Sequence, residues 1–485
     1  MIVVRGNCGN VYGIVINALL GSLALICVAG LVAARRVSSA EGWTTAGRTL
    51  PSGLLALSWI SAEFSAMTIL GVPAAAYQGD WSLLQFFFGS VFARIVIVFV
   101  FLQKLYGRGP DLYAYLGERF GPKTESVASG FFLSARTLLA SVRLLAVAAI
   151  TDSFFQTHDV PWIAVFSAVA VIAVAIGGVR SAVWTGCIQA AAIFLGGFTV
   201  LAYLVGSFEG GVSEALRVAG NAERLVVWNW RAPAAILTGF FGSLAAFGTD
   251  QETLQRLFAA RSRMSAKRAV IFAAVASAVV LILFLSIGTG LFVFYDQRRA
   301  LELPIAANSI LPHFAFQAMP DGQRGILLVA LVLASIDLPL VGLSTIFPGP
   351  GNGGVSGLRQ LRWGSIGWGV LLAGCALGLS HFSDWVWIGF KIGGVVYGPL
   401  LGVFVVGFYG PRRSDWAATI SLISTAAGCL GALWMIEKGL MTTVEWRWLP
   451  AIGAVTAASM TEMLSRSRLV GRTGQRGIRS RSRQG

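Results

Sequence analysis

Five polar residues lie in the middle of an otherwise apolar stretch, PSGLLALSWISAEFSAMTILGVPAAAYQGD at 51–80: Ser58, Ser61, Glu63, Ser65 and Thr68. As one helix from Gly53 to Gln78, the stretch would measure about 39 Å at ~1.5 Å per residue, longer than the ~30 Å hydrocarbon core of a membrane. The polar residues would then lie at membrane depth, where a carboxylate costs roughly 2.5–3.5 kcal/mol on insertion scales. A continuous helix facing lipid would gain nothing for that cost.

Hydroxyls and unpaired backbone carbonyls are ligands that suit a hard cation. One interpretation is that the helix unwinds near Trp59–Ser61 and turns such groups toward an ion, as the discontinuous helices of transporters do. The alternative is an ordinary span whose polar residues pack against neighbouring helices. This stretch alone is compatible with both interpretations.

The composition places the stretch in a polytopic helical membrane protein. Of 485 residues, 56% are apolar and 12% are charged, far outside the range of soluble proteins. The net charge of +15 does not indicate nucleic-acid binding, because the basic residues lie between apolar runs. The five cysteines and three histidines lack ligand spacing, and no P-loop, dinucleotide fingerprint or nucleophile elbow occurs. We therefore expect no organic cofactor, zinc site, disulfide framework or enzymatic activity.

Thirteen apolar segments predict an all-α protein with thirteen transmembrane helices. The first, Tyr12 to Ala34, is too long for a signal-peptide core and precedes two arginines, so we expect it to be retained. The second is the stretch described above. The others are predicted near 83–105, 124–150, 160–177, 183–205, 232–255, 267–295, 323–347, 364–381, 384–409, 414–436 and 447–464.

Basic residues in the loops predict the orientation. Loops on the side of the first loop carry 24 lysines and arginines, and loops on the other side carry nine. The positive-inside bias then places the amino terminus outside and the carboxyl terminus in the cytoplasm, in a membrane of the bacterial inner type. The arginine-rich tail, 465–485, is expected to be disordered and to lie on anionic lipid.

Four basic residues fall inside predicted spans, where charges usually face a bundle interior or a water-filled cavity. Arg94 and Arg136 are expected to snorkel or to pair with a carboxylate. For Arg143 and Lys391, structural pairing and contact with a substrate are both open.

On seven segments, in order along nearly the whole chain, the sequence resembles the sodium/solute symporter family, whose members carry sugars, proline, pantothenate, iodide and monocarboxylates. The resemblance implies a secondary transporter that moves a small solute with a cation, sodium or a proton, by alternating access. The alternative is a transporter-like membrane sensor or regulatory subunit that binds solute without moving it; a short basic tail in place of a signalling domain favours transport. The segments are AGRTLP (46–51), SAEFSAMTILGVPAAAYQGD (61–80), DLYAYLGERFG (111–121), GGVRSAVWTGCIQ (177–189), GTDQETLQRLFAARS (248–262), ASIDLPLVGLST (334–345) and YGPLLGVFVVGFY (397–409).

The resemblance also implies a fold. Two inverted repeats of five helices, at about 53–205 and 232–409, would form the core of a single transmembrane domain, 1–464. The first helix of each repeat would be interrupted. Span seven contains several glycines followed by Thr249 and Asp250, which suits a break.

The sodium site implied by the resemblance lies between spans two and nine. Backbone carbonyls and hydroxyls would bind the ion, and both suit a hard cation. One of the two hydroxyl positions is an alanine here, so one implied ligand is missing. The carbonyl positions match Leu57, Ile60 and Leu331, and the hydroxyl positions match Ala334 and Ser335.

Three further departures from the family pattern affect the coupling ion. Gly186 stands where many members have an aspartate, Pro339 interrupts span nine, and PGPGNGG (348–354) replaces an acidic helix end. Asp337 has two interpretations: a scaffold that caps backbone or pairs with an arginine, or a charge that substitutes for the missing hydroxyl. Three outcomes follow: a sodium site completed by water or Asp337, proton coupling through a carboxylate, or lost transport.

The substrate class is only weakly indicated. Two serines stand where sugar carriers have amides and a lysine, which argues against a sugar. The arginine and lysine inside spans four and eleven suit a carboxylate or another small anion. The candidates for substrate contact are Glu63, Ser243, Asp250, Ser277, Arg143 and Lys391.

Overall fold

A computed structural model describes residues 8–35, 37–155, 161–298, 309–336, 338–351, 353–381, 385–409 and 414–481. Within these ranges the chain is helical and has no strand beyond one isolated bridge between Leu50 and Ala260. The all-α prediction is confirmed.

The helices follow one another through short loops, and a π-helical turn at Ile97–Phe101 joins α5 to α6. In chain order they are α1 (Cys8–Ala34), α2 (Ala40–Thr45), α3 (Ser52–Glu63), α4 (Ala66–Gln78), α5 (Leu83–Val96), α6 (Leu102–Leu105), α7 (Ala114–Arg119), α8 (Pro122–Phe155), α9 (Trp162–Ala175), α10 (Gly178–Gly206), α11 (Gly211–Asn221), α12 (Ala232–Gly248), α13 (Gln251–Phe258), α14 (Arg263–Gln297), α15 (Ile310–Gln317), α16 (Asp321–Leu333), α17 (Leu340–Ile346), α18 (Gly354–Leu379), α19 (Trp385–Tyr409), α20 (Asp415–Glu437) and α21 (Leu449–Arg481).

Each predicted span coincides with one helix or with two helices in sequence. In the described ranges, seven helices are long and apolar enough to cross a membrane by themselves, and two bent pairs raise the number to nine. Crossing by α9, by α16 with α17, by α18 and by α21 stays a prediction. The orientation, the inverted repeats and the bounds of the transmembrane domain also stay predictions.

Two predicted boundaries are wrong. α18 begins at Gly354, ahead of the predicted start at 364. Gly353 and Gly354 have positive φ angles, which glycine adopts readily, and the loop before α18 therefore ends at these two residues. α21 continues to Arg481, so the tail predicted to be disordered is helical over most of its length. Arginine is a strong helix former, and a Glu–Arg pair four residues apart, at 462 and 466, supports the extension.

Span two is interrupted, but later than predicted. α3 continues through Trp59–Ser61 to Glu63, because the amide of Phe64 still donates to the carbonyl of Ile60 at 2.8 Å. Phe64 and Ser65 are extended, and the helix axes on either side differ by 66°. The prediction of a break is therefore confirmed, and its position near residues 59–61 is wrong.

Span seven is also interrupted, as predicted. α12 and α13 meet at 65°, with Thr249 and Asp250 between them. Asp250 is extended, and its carboxylate accepts from the amide of Thr253 at 2.8 Å, so this side chain starts a new helix. The bends of spans two and seven thus differ by only a degree, in the two helices that the repeats would make equivalent.

Span nine contains a third interruption. α16 ends at Leu333 and α17 begins at Leu340, with Pro339 at the position before the new helix. A proline has no amide to donate to the preceding turn, so a helix is not expected to continue through this position, and a new one begins after it.

Span two contacts two hydrophobic clusters: Leu55 of α3 is buried in one, and Ile60 of α3 is buried in the other together with Ile69 of α4. Behind α3, Gly186 of α10 lies so close that a Cβ atom there would come within 2.6 Å of the Ser61 hydroxyl and 2.8 Å of the Ser58 hydroxyl. A larger side chain at position 186 therefore requires α3 or α10 to move.

Candidate substrate and cation site

The interruptions of spans two and nine meet at one hydrogen bond. The backbone amide of Ala66, the first residue of α4, donates to the side-chain hydroxyl of Ser335 at 3.1 Å. Both groups are buried. The amides of a first helical turn have no acceptor in their own helix, so Ser335 supplies one from another span.

The hydrogen-bond pattern changes at the end of α16, next to Ser335 in the chain. The amide of Ser335 donates to the carbonyl of Val332 at 3.1 Å, three residues back, and not to that of Leu331, four residues back. A tightened last turn of this kind leaves a carbonyl without its usual helical donor. A carbonyl and a hydroxyl in one place are suitable ligands for sodium.

The remaining implied sodium ligands fit less well. The carbonyl of Ile60 already accepts from the amide of Phe64, since α3 does not unwind at that turn. Leu57 also lies within regular helix. Ala334 is buried and has no oxygen in its side chain. The assignment of all four ligands stays a prediction.

Glu63 and Ser277, two of the substrate candidates, are in contact. The Ser277 hydroxyl donates to Glu63 Oε2 at 2.6 Å, and Arg94 Nη2 lies 2.5 Å from Glu63 Oε1. Arg94 is 2% exposed and also donates to Ser90 at 3.0 Å. The prediction that Arg94 pairs with a carboxylate is confirmed, and the charge of Glu63 is balanced.

Arg143 of α8 reaches the same break. Its Nη1 and Nη2 atoms each lie 3.3 Å from the carbonyl of Ala62, in the last turn of α3. Charge-assisted hydrogen bonds are usually ~2.7–2.9 Å long, so both contacts are weak. A half-buried guanidinium is thus held one residue from Glu63, at the point where the helix ends.

Asp250 has a structural role in addition to its predicted one. It caps α13, and its Oδ2 atom lies 3.3 Å from Nε of Arg136. Asp250 is almost fully buried. The prediction that Arg136 pairs with a carboxylate is confirmed, and Asp250 as a substrate contact stays a prediction.

The other candidates lie in different positions. Ser243 is buried in α12. Lys391 pairs with Glu437 at 2.7 Å, and the two side chains are 22% and 45% exposed, as expected near a membrane surface. Asp337 lies outside the described residues. Substrate contact by Ser243 or Lys391 and coupling by Asp337 stay predictions.

Sequence reasoning missed a buried polar group in α13. The predicted end of span seven at 255 places Arg256 in a loop, but it lies in α13, is 2% exposed and is 3.3 Å from Glu252. The available signal was a glutamate four residues before an arginine, a spacing that places both on one helix face.

Comparisons with known proteins agree with this architecture. The model of the sodium:solute symporter family matches residues 43–347. The chain is 27% identical over 451 residues to the sodium/sialic acid symporter SiaT of Proteus mirabilis (strain HI4320), covering 85% of this chain and 88% of that protein. It is 24% identical over 453 residues to human sodium-coupled monocarboxylate transporter 2, covering 87% and 69%.

Two solved structures share the fold. A sodium-coupled sialic acid symporter in a substrate-bound outward-open state superposes with a TM-score of 0.81 at 23% identity, covering 93% of this chain and 97% of that one. Mhp1, a nucleobase-cation-symport-1 family transporter in a closed conformation, superposes with a TM-score of 0.55 at 13% identity, covering 86% and 92%.

Proposed function

Because the chain belongs to the sodium:solute symporter family, we propose that it carries a small organic anion, bound at the break between α3 and α4 beside Arg143. The protein is an integral membrane protein, a cation-coupled secondary transporter that works by alternating access, and not an enzyme.

The position of Arg143 carries the proposal. Its guanidinium lies at the break, where the two hydrogen bonds to the Ala62 carbonyl are 3.3 Å long. A carboxylate offers two oxygens to a guanidinium and forms shorter, charge-assisted bonds than a shared carbonyl does. A carboxylate solute would therefore displace this contact with a gain in interaction energy.

The neighbouring charges favour an anion. Glu63 would repel a carboxylate if its charge were unbalanced, but Arg94 neutralises it and Ser277 also binds it. The side chain of Glu63 remains 14% exposed, so it can still accept a hydrogen bond from a hydroxyl or amine of the solute. Small anions with a donor group near the carboxylate fit this pair of residues best.

Similar proteins support the same class. SiaT and its relative NanT of Aliivibrio fischeri (strain ATCC 700601 / ES114) are sodium/sialic acid symporters, and other relatives are sodium-coupled monocarboxylate transporters. Both sialic acid and monocarboxylates are organic anions.

Sodium is the coupling ion that we propose, bound between the Leu331 carbonyl and the Ser335 hydroxyl. The Ser335 amide donates to the Val332 carbonyl instead of the Leu331 carbonyl, and the Ser335 hydroxyl is buried at the start of α4; both observations support cation binding at this helix end. The absence of a hydroxyl at Ala334 would make this site weaker than one with both. Proton coupling through a carboxylate is the second candidate because Asp337 follows within two residues.

Uptake into right-side-out vesicles tests the proposal. Inward sodium and proton gradients are imposed separately, and radiolabelled small carboxylates, amino acids and sugars are compared. We expect uphill uptake of a carboxylate driven by sodium. Sodium-driven uptake of a neutral sugar with no competition from carboxylates would refute the assignment of the solute class.

Two basic residues provide a matched pair of variants. Arg143→Gln should raise the KM for the anion by about tenfold or more. Arg143→Lys should raise the KM less, because lysine still binds a carboxylate, but only as a point charge. Lys391→Gln should change KM by less than about twofold, since Lys391 pairs with Glu437. The opposite ranking would move the anion site to Lys391.

A further inference from the structure

Buried polar side chains on α13 join all three interrupted spans at one end of the bundle. Glu252, Gln255 and Arg256 are each at most 2% exposed, although α13 is only eight residues long. Neither solute nor cation binding, as described above, uses these residues. Buried charges are costly unless they are paired and hydrogen-bonded, so their contacts indicate what they do.

Arg256 holds the first half of span two. Its Nη1 atom donates to the backbone carbonyl of Ser58 at 2.8 Å and to the Ser58 hydroxyl at 2.9 Å. Its Nη2 atom donates to Glu252 Oε1 at 3.3 Å. The planar guanidinium thus links α13 to the middle of α3.

Glu252 holds the second half of span nine. Its Oε2 atom accepts from the backbone amide of Gly342, in the first turn of α17, at 2.7 Å. The approach is close, because a Cβ atom at position 342 would lie 3.1 Å from the amide nitrogen of Glu252 and 3.2 Å from its Cα. A carboxylate at a helix N-terminus is also stabilised by the helix dipole.

A third contact extends the network. Gln255 donates from Nε2 to the carbonyl of Thr44 and to the hydroxyl of Thr345, both at 2.8 Å. Thr345 lies in α17, and Thr44 lies in α2, just before α3. α2, α3 and α17 are therefore each hydrogen-bonded to side chains of α13.

The linked helices all lie on one side of their breaks. α3 precedes the break at residues 64–65, α13 follows the break at 249–250, and α17 follows the gap at 334–339. The basic-residue count assigns this side to the cytoplasm. A pathway from the break to the cytoplasm must pass between these helices, and each can pivot where its span is interrupted.

We propose that Glu252 and Arg256 form the cytoplasmic gate, together with their contacts at Ser58 and Gly342. The closed gate holds α3, α13 and α17 together, and it must separate before the cation and the solute can leave toward the cytoplasm. Both charges become hydrated when the gate opens, so the pair can dissociate without leaving a charge buried and unpaired. The residues position helices and do not touch the solute, so the inference is independent of the solute's identity.

Alkylation of a native cysteine reports the opening. Cys187 of α10 faces α3, where its thiol lies 3.4 Å from the carbonyl of Leu54. The test uses full-length protein in inside-out vesicles, with the other four of the five cysteines replaced, and a membrane-impermeant maleimide. Glu252→Gln and Arg256→Gln should each raise the rate at Cys187 by about tenfold or more, since removing one partner of a buried ion pair is strongly destabilising.

A steric variant tests the gate without changing any charge. Gly342→Ala places a methyl group against the backbone of α13 and should also raise the alkylation rate at Cys187. The matched control is Arg466→Gln in α21. It removes the ion pair with Glu462, whose two residues are also four positions apart in the chain, but Arg466 is 72% exposed. That variant should leave the rate unchanged.

A second reporter separates gate opening from general loosening of the bundle. Cys429 is 4% exposed and packs among α19, α20 and α21, away from the gate. In a protein that keeps Cys429 as its only cysteine, the gate variants should not change the alkylation rate at Cys429. The proposal is overturned if the gate variants leave Cys187 at the wild-type rate, or if Cys187 and Cys429 respond equally.

Discussion

The Ser335 hydroxyl accepts a hydrogen bond from the Ala66 amide, 3.1 Å away, and so joins the end of α16 to the start of α4. The contact satisfies an amide that α4 cannot satisfy itself. Since a hydroxyl has two lone pairs, the same oxygen can bind a cation. The solute site proposed at the break of span two and the cation site proposed at the end of α16 would therefore be connected through these two residues.

We expect Ala334→Ser to raise sodium affinity. The new hydroxyl restores the implied ligand beside Ser335, and a gain of about 1 kcal/mol corresponds to roughly a fivefold change in affinity. Sodium-dependent uptake at a fixed solute concentration measures it. Unchanged sodium-dependent uptake in Ser335→Ala would show that no sodium binds at this position.

Breaking the pair between Glu63 and Arg94 should destabilise the protein. Arg94→Gln leaves the carboxylate without its ion-pair partner, a change that typically costs about 3–5 kcal/mol for a buried pair. Thermal unfolding in detergent should show a clearly lower Tm. The double variant Glu63→Gln/Arg94→Gln should recover part of that loss, and the single variant Glu462→Gln, in an exposed pair, should lose almost none. Equal effects of the single and double variants would contradict a direct interaction.

Asp337→Asn separates the two roles suggested for that residue. The substitution keeps the shape and removes the charge. If the carboxylate couples transport to a cation, the variant should insert normally and bind solute but lose the dependence of uptake on sodium or pH. Wild-type dependence on both would identify Asp337 as scaffold.

Reporter fusions test the orientation. Thirteen spans and the distribution of basic residues predict that fusions after Asn10 and after Ser465 report from opposite sides, outside and cytoplasmic. This result requires that the four predicted spans formed by α9, by α16 with α17, by α18 and by α21 also cross the membrane. Signals from one side would require an even number of spans and would reverse the assignment of the gate or of the amino terminus.

The sequence by itself determined the fold class and indicated which spans are interrupted, but not where span two breaks. Long apolar runs can satisfy their backbone polar groups in a membrane only as helices. Polar clusters, glycines and Pro339 indicate which of these helices are interrupted. It also predicted that Arg94 and Arg136 either snorkel or pair with a carboxylate, because a charge inside a span is too costly alone; the structure shows the pairs.

The tertiary structure decided which groups meet. The position of the break at Phe64–Ser65 depends on a helix end satisfied by Ser335, which is 269 residues away from Ala66 in the chain. The burial of Arg256 depends on contacts with α3 and, through Glu252, with α17. Local patterns set the period of a helix and can place Glu252 and Arg256 on one face, but they carry no information about the partner in another span.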